Sequence, residues 1–201
     1  IVRVSDGSLF DEQALAVTVR DVGAGVSKVG SEFLVNTETA GDQFAPTITG
    51  LTNGGFVVSW SDFSGTLGDP IGASIKAQIY AADGTRVGGE FLVNTETAND
   101  NNLPTIAGLT NGGFVVSWEG YEYEIKAQIY AADGTRVGSE FLVNTETSNW
   151  QRSPAITALT DGGFVVSWKD YSGTLGDADL SIKAQIYAAD GTRVGSEFLV
   201  N

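Results

Sequence analysis

Apolar and polar residues alternate along most of this chain with a period of two, the mark of strands, and no stretch shows the 3.6-residue period of a surface helix. Phe56, Val58 and Trp60 fall on one side of such a run, and Val57 and Ser59 on the other. The same run, GGFVVSW, returns to end at Trp118 and Trp168. A second run, IKAQIY, sets Ile75, Ala77 and Ile79 against Lys76, Gln78 and Tyr80. It lies within a longer segment, KAQIYAADGTRVG, that occurs three times unchanged, at 76–88, 126–138 and 183–195. EFLVN ends at Asn36, Asn94, Asn144 and Asn201, which makes the repeat roughly 50 to 58 residues long.

Each repeat therefore reads as four strands, A to D, in units over residues 45–94, 103–144 and 154–201, with an extra copy of strand D at 31–36. Asn53-Gly54 and Asp161-Gly162 favour a type I′ turn between A and B, and Asp83-Gly84 marks the turn between C and D. No helix longer than about two turns is expected. A lone four-stranded sheet is weakly stable, so the units must pack on one another. A double glycine before an aromatic-bearing strand, in four-stranded units of this length, resembles the blades of kelch-like β-propellers. The fold class expected is thus all-β, in tandem four-stranded antiparallel units; a row of stacked sheets is the rival packing. Propellers close with about 4 to 8 blades, so either further copies or several self-associating chains complete the ring. The extra D strand is expected to pair in another blade. The start at Ile1 and the end at Asn201 suggest an excerpt of a longer chain.

Residues 1–26 depart from the repeat. IVRVSDGSLFDEQALAVTVRDV reads as two strands about a Ser-Asp-Gly turn and resembles the closing hairpin of a cadherin-like or related immunoglobulin-type domain. Followed by the repeats of 27–201, it resembles the very large adhesin and RTX-type proteins that Gram-negative bacteria export by type I systems. That resemblance implies an extracellular or cell-surface location and an adhesion role. The RTX nonapeptide G-G-x-G-x-D is absent, so the calcium-filled roll it builds is not implied.

Composition narrows the chemistry. With 25 Asp and Glu against 11 Lys and Arg, the formal net charge is -14, which argues against nucleic acid and anionic membrane surfaces. No apolar stretch is long enough for membrane insertion as a helix. Cys, Met and His are all missing, which removes disulfides, thiolate and imidazole ligands and Cys/His catalysis. Paired carboxylates remain, too plentiful to single out a catalytic pair. The expectation is a non-catalytic adhesion or ligand-binding module, with a structural spacer of a surface polymer and a designed propeller as alternatives.

In an up-and-down unit the B–C and D–A loops share one edge, and they vary between copies while the turns of the other edge repeat nearly verbatim. They carry Trp150, Tyr121, Tyr123, Tyr171 and Arg152, the aromatic and cationic groups that grip a glycan or protein partner, or that fill gaps at the sheet ends. They also carry Asp170, Asp177 and Asp179, with Asp62 and Asp69 in the matching loop: oxygen ligands for Ca2+, or solvated turn residues. Trp60, Trp118 and Trp168 recur at one strand position and are expected in the core. Trp168→Ala should therefore destabilise by roughly 3 to 5 kcal/mol. Trp150→Ala should weaken binding and shift stability by less than about 0.5 kcal/mol. Thermal unfolding of the two variants checks the contrast.

Overall fold

The computed structural model describes residues 30–176 and 179–201 and divides the chain into two compact parts, residues 1–33 and 34–201. The cadherin-like hairpin expected at 1–26 lies outside the described residues. Twelve strands and no helix are present among the described residues. They form three antiparallel sheets, each a simple meander. The first holds β1 (Gln43–Gly50), β2 (Phe56–Asp62), β3 (Ser74–Tyr80) and β4 (Arg86–Leu92). The second holds β5 (Asn102–Gly108), β6 (Phe114–Glu119), β7 (Ile125–Tyr130) and β8 (Arg136–Leu142). The third holds β9 (Gln151–Ala158), β10 (Phe164–Asp170), β11 (Ser181–Tyr187) and β12 (Arg193–Leu199).

The A–B turns depart from expectation. A type I′ turn would put both Asn53 and Gly54 at positive φ, but only the glycines Gly54, Gly112 and Gly162 are there. Gly54 N donates to Leu51 O at 3.0 Å and Leu51 N to Gly55 O at 2.8 Å, the pattern of a type I turn closed by a left-handed glycine bulge. Asn53 Oδ1 accepts the Gly55 N–H instead of bending its own backbone. The second glycine is needed for room, since a Cβ on Gly55 would run into the Tyr80 carbonyl.

The sheets stack face to face, as the alternation requires. Val57, Ile75, Ala77 and Ile79 of the first sheet meet Ile106, Phe114, Val116, Trp118 and Tyr130 of the second. The second presents Val115, Ile125, Ala127 and Ile129 to Phe164, Val166, Trp168 and Tyr187 of the third. Trp118 and Trp168 are fully buried, as expected. A side chain without such a neighbour stays wet: Ile48 is exposed whereas Ile106, its counterpart, is buried.

Polar bonds repeat between sheets. The end of each strand D crosses to the next sheet, where Tyr130 OH donates to Val93 O and Tyr187 OH to Val143 O. Arg136 donates to Leu92 O and Arg193 to Leu142 O. Glu140 accepts both the N–H and the hydroxyl of Thr95, and Glu197 does the same for Thr145. The extra strand expected at 31–36 is not formed, because each C strand among the described residues is already paired with its own D strand. Residues 34–37 instead make the same set of bonds to the first sheet, from Tyr80 to Val35, Arg86 to Leu34 and Thr37 to Glu90.

The outer strands are guarded. Gly88, Gly138 and Gly195 sit at positive φ where the C–D register shifts, and Gln78, Gln128 and Gln185 donate into each bulge. A bulged edge is a poor template for another strand.

Two lysines are buried with carboxylates. Lys76 Nζ meets Asp62 Oδ1 at 2.8 Å and Glu90 Oε1 at 3.4 Å, and donates to the Ser64 and Thr66 hydroxyls. Lys183 repeats this with Asp170, Glu197, Ser172 and Thr174. In the second sheet the loop is shorter, and Lys126, paired with Glu140 at 3.2 Å, keeps 22% side-chain exposure. Lys183→Ala leaves Asp170 buried without its cation and should cost roughly 3 to 5 kcal/mol. Lys126→Ala removes a partly solvated pair and should cost no more than about 1 kcal/mol. Urea unfolding midpoints of the two variants, read against wild type, check the difference.

Candidate functional site

The B–C loops and the D–A connectors do share one edge, where backbone hydrogen bonds tie them together. Asn101 N donates to Ala73 O at 2.7 Å, Gln151 N to Tyr123 O at 2.8 Å and Tyr171 N to Trp150 O at 2.9 Å. At the junction of the second and third sheets this brings four of the five expected binding residues into one cluster. Trp150 stands at its centre, with Tyr123 at 5.3 Å between ring centroids and Tyr171 at 6.0 Å, nearly edge-on. The Arg152 guanidinium lies 4.3 Å from the Tyr123 ring centroid and 4.6 Å from that of Trp150, within cation–π range of both. Tyr121 is exposed near the tip of the same loop, and among the described residues no ring stacks on it.

Local geometry explains the placement. Tyr123 sits at φ 59, a left-handed conformation costly for a tyrosine, in a tight turn where its N–H donates to Gly120 O at 3.0 Å. Trp150 occupies the connector position held by Asp42 and Asp100 in the other copies, and Arg152 the position of Phe44 and Asn102. Ser153 has a positive φ, as do Ala45 and Leu103, and these bulges break the pairing of the innermost strands. In the first sheet the equivalent edge carries only a stacked Phe44–Phe63 pair, 5.7 Å apart.

Glu119 was not among the site residues expected from the sequence. Its Oε1 lies 3.6 Å from Arg152 Nε, and its Oε2 accepts the Ser153 N–H at 3.2 Å. The signal was its strand position, directly after Trp118, where the other copies carry Ser61 and Lys169. Ser61 accepts the matching N–H of Leu103.

Among the described residues, the aspartates expected as calcium ligands do not converge. Asp62 and Asp170 are buried on separate lysines, and Asp179 is exposed. Asp177 lies outside the described residues. Among the described residues no three carboxylates gather around a common point. Burial pushes the Asp62 and Asp170 carboxyls up, but the bonds from Lys76 and Ser64, and from Ser172 and Lys183, outweigh it and hold both below the usual carboxylate range. Asp69 is the opposite case. Burial pushes it up, Asn94 Nδ2 donates to one oxygen at 2.9 Å, and the other oxygen has no partner.

No family model matches the chain, and no curated protein matches it. Solved structures do share its fold. A protein of unknown function from Dyadobacter fermentans superposes over 77% of this chain and 40% of its own, at TM-score 0.55 and 14% identity. A thermostable family-43 glycoside hydrolase superposes over 83% of this chain and 55% of its own, at TM-score 0.51 and 13% identity. The units are β-propeller blades. An endo-arabinase from Bacteroides thetaiotaomicron is also similar, at TM-score 0.49 and 18% identity, over 80% of this chain and 63% of its own. The chain thus spans 40% to 63% of the length of these three solved chains. The comparison corrects the expectation of a non-enzymatic adhesion module or spacer, since blades of this fold are shared with a glycoside hydrolase. The absence of Cys and His misled because glycoside hydrolysis needs neither and runs on carboxylates.

Two opposite signs of pH dependence follow from the aspartates. A lowered carboxyl contributes stability that is lost as pH falls through its folded value, so Asp62 and Asp170 weaken the fold in acid. A raised one does the reverse, so ionised Asp69 weakens the fold as pH rises above 3.8, the ordinary aspartate value. Asp69→Asn keeps an acceptor for Asn94 without the charge. It should raise the thermal midpoint at pH 7, with the gain fading as pH falls toward 3.8; an equal gain at both ends would refute the assignment.

Proposed function

We propose that the chain forms part of a carbohydrate-active propeller enzyme that holds a polysaccharide across the loop edge at Trp150. The observation that carries this reading is the Trp150 cluster itself: a half-exposed indole braced by Tyr123, Tyr171 and Arg152. Rigid aromatic rings at a rim offer a flat apolar surface to the C–H face of a sugar ring, and neighbouring polar groups meet its hydroxyls. The likeness of the fold to a family-43 glycoside hydrolase supports the assignment.

Cleaving a glycosidic bond takes two carboxylates flanking it, about 5 to 9.5 Å apart according to mechanism. Glu119 is the acid of the cluster, and it is engaged with Arg152 and Ser153. The aromatic rings therefore hold the substrate while Glu119 stays behind them on Arg152 and Ser153, and the cleaving pair comes from other loops of the ring. A polymeric substrate is met outside the cell, in keeping with the extracellular location expected from the sequence.

The test is incubation with a panel of plant and algal polysaccharides, measuring new reducing ends and, in parallel, retardation in gels containing each polymer. Wild type should be retarded by at least one polymer and release products from it. Trp150→Ala should raise KM by roughly tenfold, the equivalent of about 1.4 kcal/mol of binding, with kcat little changed. Neither retardation nor product from any polymer would overturn the proposal.

A further inference from the structure

We infer that Glu119 is a specificity-determining residue: by neutralising Arg152 it restricts the Trp150 platform to uncharged sugar residues. The inference rests on the glycan reading above and adds the substrate class. Arg152 is the cation that packs on the cluster's rings, with Lys169 opposite it across the strand pair and Glu122 and Glu124 on the neighbouring loop, and an arginine at a sugar-binding rim would ordinarily favour a uronate or sulfate group. Here its faces are covered by two rings and Glu119 opposes its charge in an ion pair without a hydrogen bond. Glu119 Oε1 faces Nε at 3.6 Å, and the guanidinium packs against the Tyr123 and Trp150 rings at 4.3 and 4.6 Å. Glu119 cannot swing away freely, because its other oxygen holds the Ser153 N–H at 3.2 Å. Glu119 keeps 13% side-chain exposure and Arg152 37%, so the pair is partly shielded from solvent and only partly screened.

The first junction shows that the pairing is particular to the second. Where Glu119 meets Arg152, the first junction has Ser61 near Leu103 and Asn102, so no charge faces any other. Glu122 and Glu124 on the same short loop add negative charge beside the platform, and the whole chain carries -14. An anionic polymer approaching Trp150 therefore meets a neutralised arginine in a negative field, whereas an uncharged polymer meets an aromatic face.

Glu119→Gln is the informative change. The amide oxygen can still accept the Ser153 N–H, so the loop stays in place while Arg152 is left with an unbalanced charge. Thermal unfolding first establishes that the variant is folded. Affinity electrophoresis then compares wild type and variant on a neutral polymer, linear arabinan or xylan, and on polygalacturonate, at low and at high salt. Wild type should be retarded by a neutral polymer and hardly by polygalacturonate. The variant should keep its neutral affinity and bind polygalacturonate roughly fivefold more tightly at low salt, a gain that high salt erases. Wild type that binds polygalacturonate as well as a neutral polymer would overturn the inference while leaving the glycan reading intact. A folded variant with no gain on polygalacturonate would also overturn it, as would one that loses neutral binding, since Glu119 would then be touching substrate. Wild type that binds neither class would overturn the glycan reading itself.

Discussion

Every blade in this chain depends on having a neighbour. A four-stranded sheet here has one face of Phe, Val, Trp and Tyr and another of Val, Ile and Ala, and neither can be left to water at the scale of a whole sheet. The repeat solves both problems with one contact, since the two faces are complements and stacking buries one of each. The polar latch then fixes how far one sheet can rotate against the next. Glu140 and Glu197 each take two hydrogens from the incoming threonine while also facing a lysine of their own sheet, so a sliding motion would break charged and neutral bonds together.

That rigid stack lets the loops diverge. In the first and third blades the long B–C loop folds down over a buried lysine: Asp, Ser and Thr at every second position, Asp62, Ser64 and Thr66 or Asp170, Ser172 and Thr174, surround Nζ and also bond one another. The arrangement consumes the very carboxylates that looked available for a metal. Asp62 and Asp170 act as anchors of loop shape, each giving its Oδ1 to a lysine and a serine of its own blade.

The strands, their faces and their order were legible in the sequence because the repeat prints the same alternation three times, and each copy corroborates the others. The common edge for the variable loops was legible too, since it follows from the parity of an up-and-down sheet. Three things were not. The Asn53-Gly54 dipeptide is compatible with two turn types, and the structure closes the loop between Leu51 and Gly55, which leaves only Gly54 at positive φ. The partners of Asp62 and Asp170 lie on strand C, and a buried lysine looks no different in sequence from one that covers a sheet face. The fold likeness to a glycoside hydrolase gave no signal of its own, because carboxylates, unlike histidines, are also ordinary surface residues, and an acidic chain offers many of them.

The site arises where the repeat is broken. The second blade has replaced the Asp-Ser-Thr loop with Gly-Tyr-Glu-Tyr-Glu, too short to wrap Lys126, and closes it with Tyr123 in a left-handed turn. The next connector has replaced its aspartate with Trp150 and the following strand has placed Arg152 beside it. Neither change makes a platform alone: Trp150 needs the shortened loop to bring Tyr123 within reach, and Arg152 needs Glu119, a residue the other blades do not have at that position. Such a set of mutually dependent departures, confined to one junction of an otherwise near-identical array, is difficult to account for by packing. The other junction has Asp100, Asn102 and Ser61 in the places of Trp150, Arg152 and Glu119 and buries its tryptophan as fully, so the aromatic cluster adds a surface that the fold does not require.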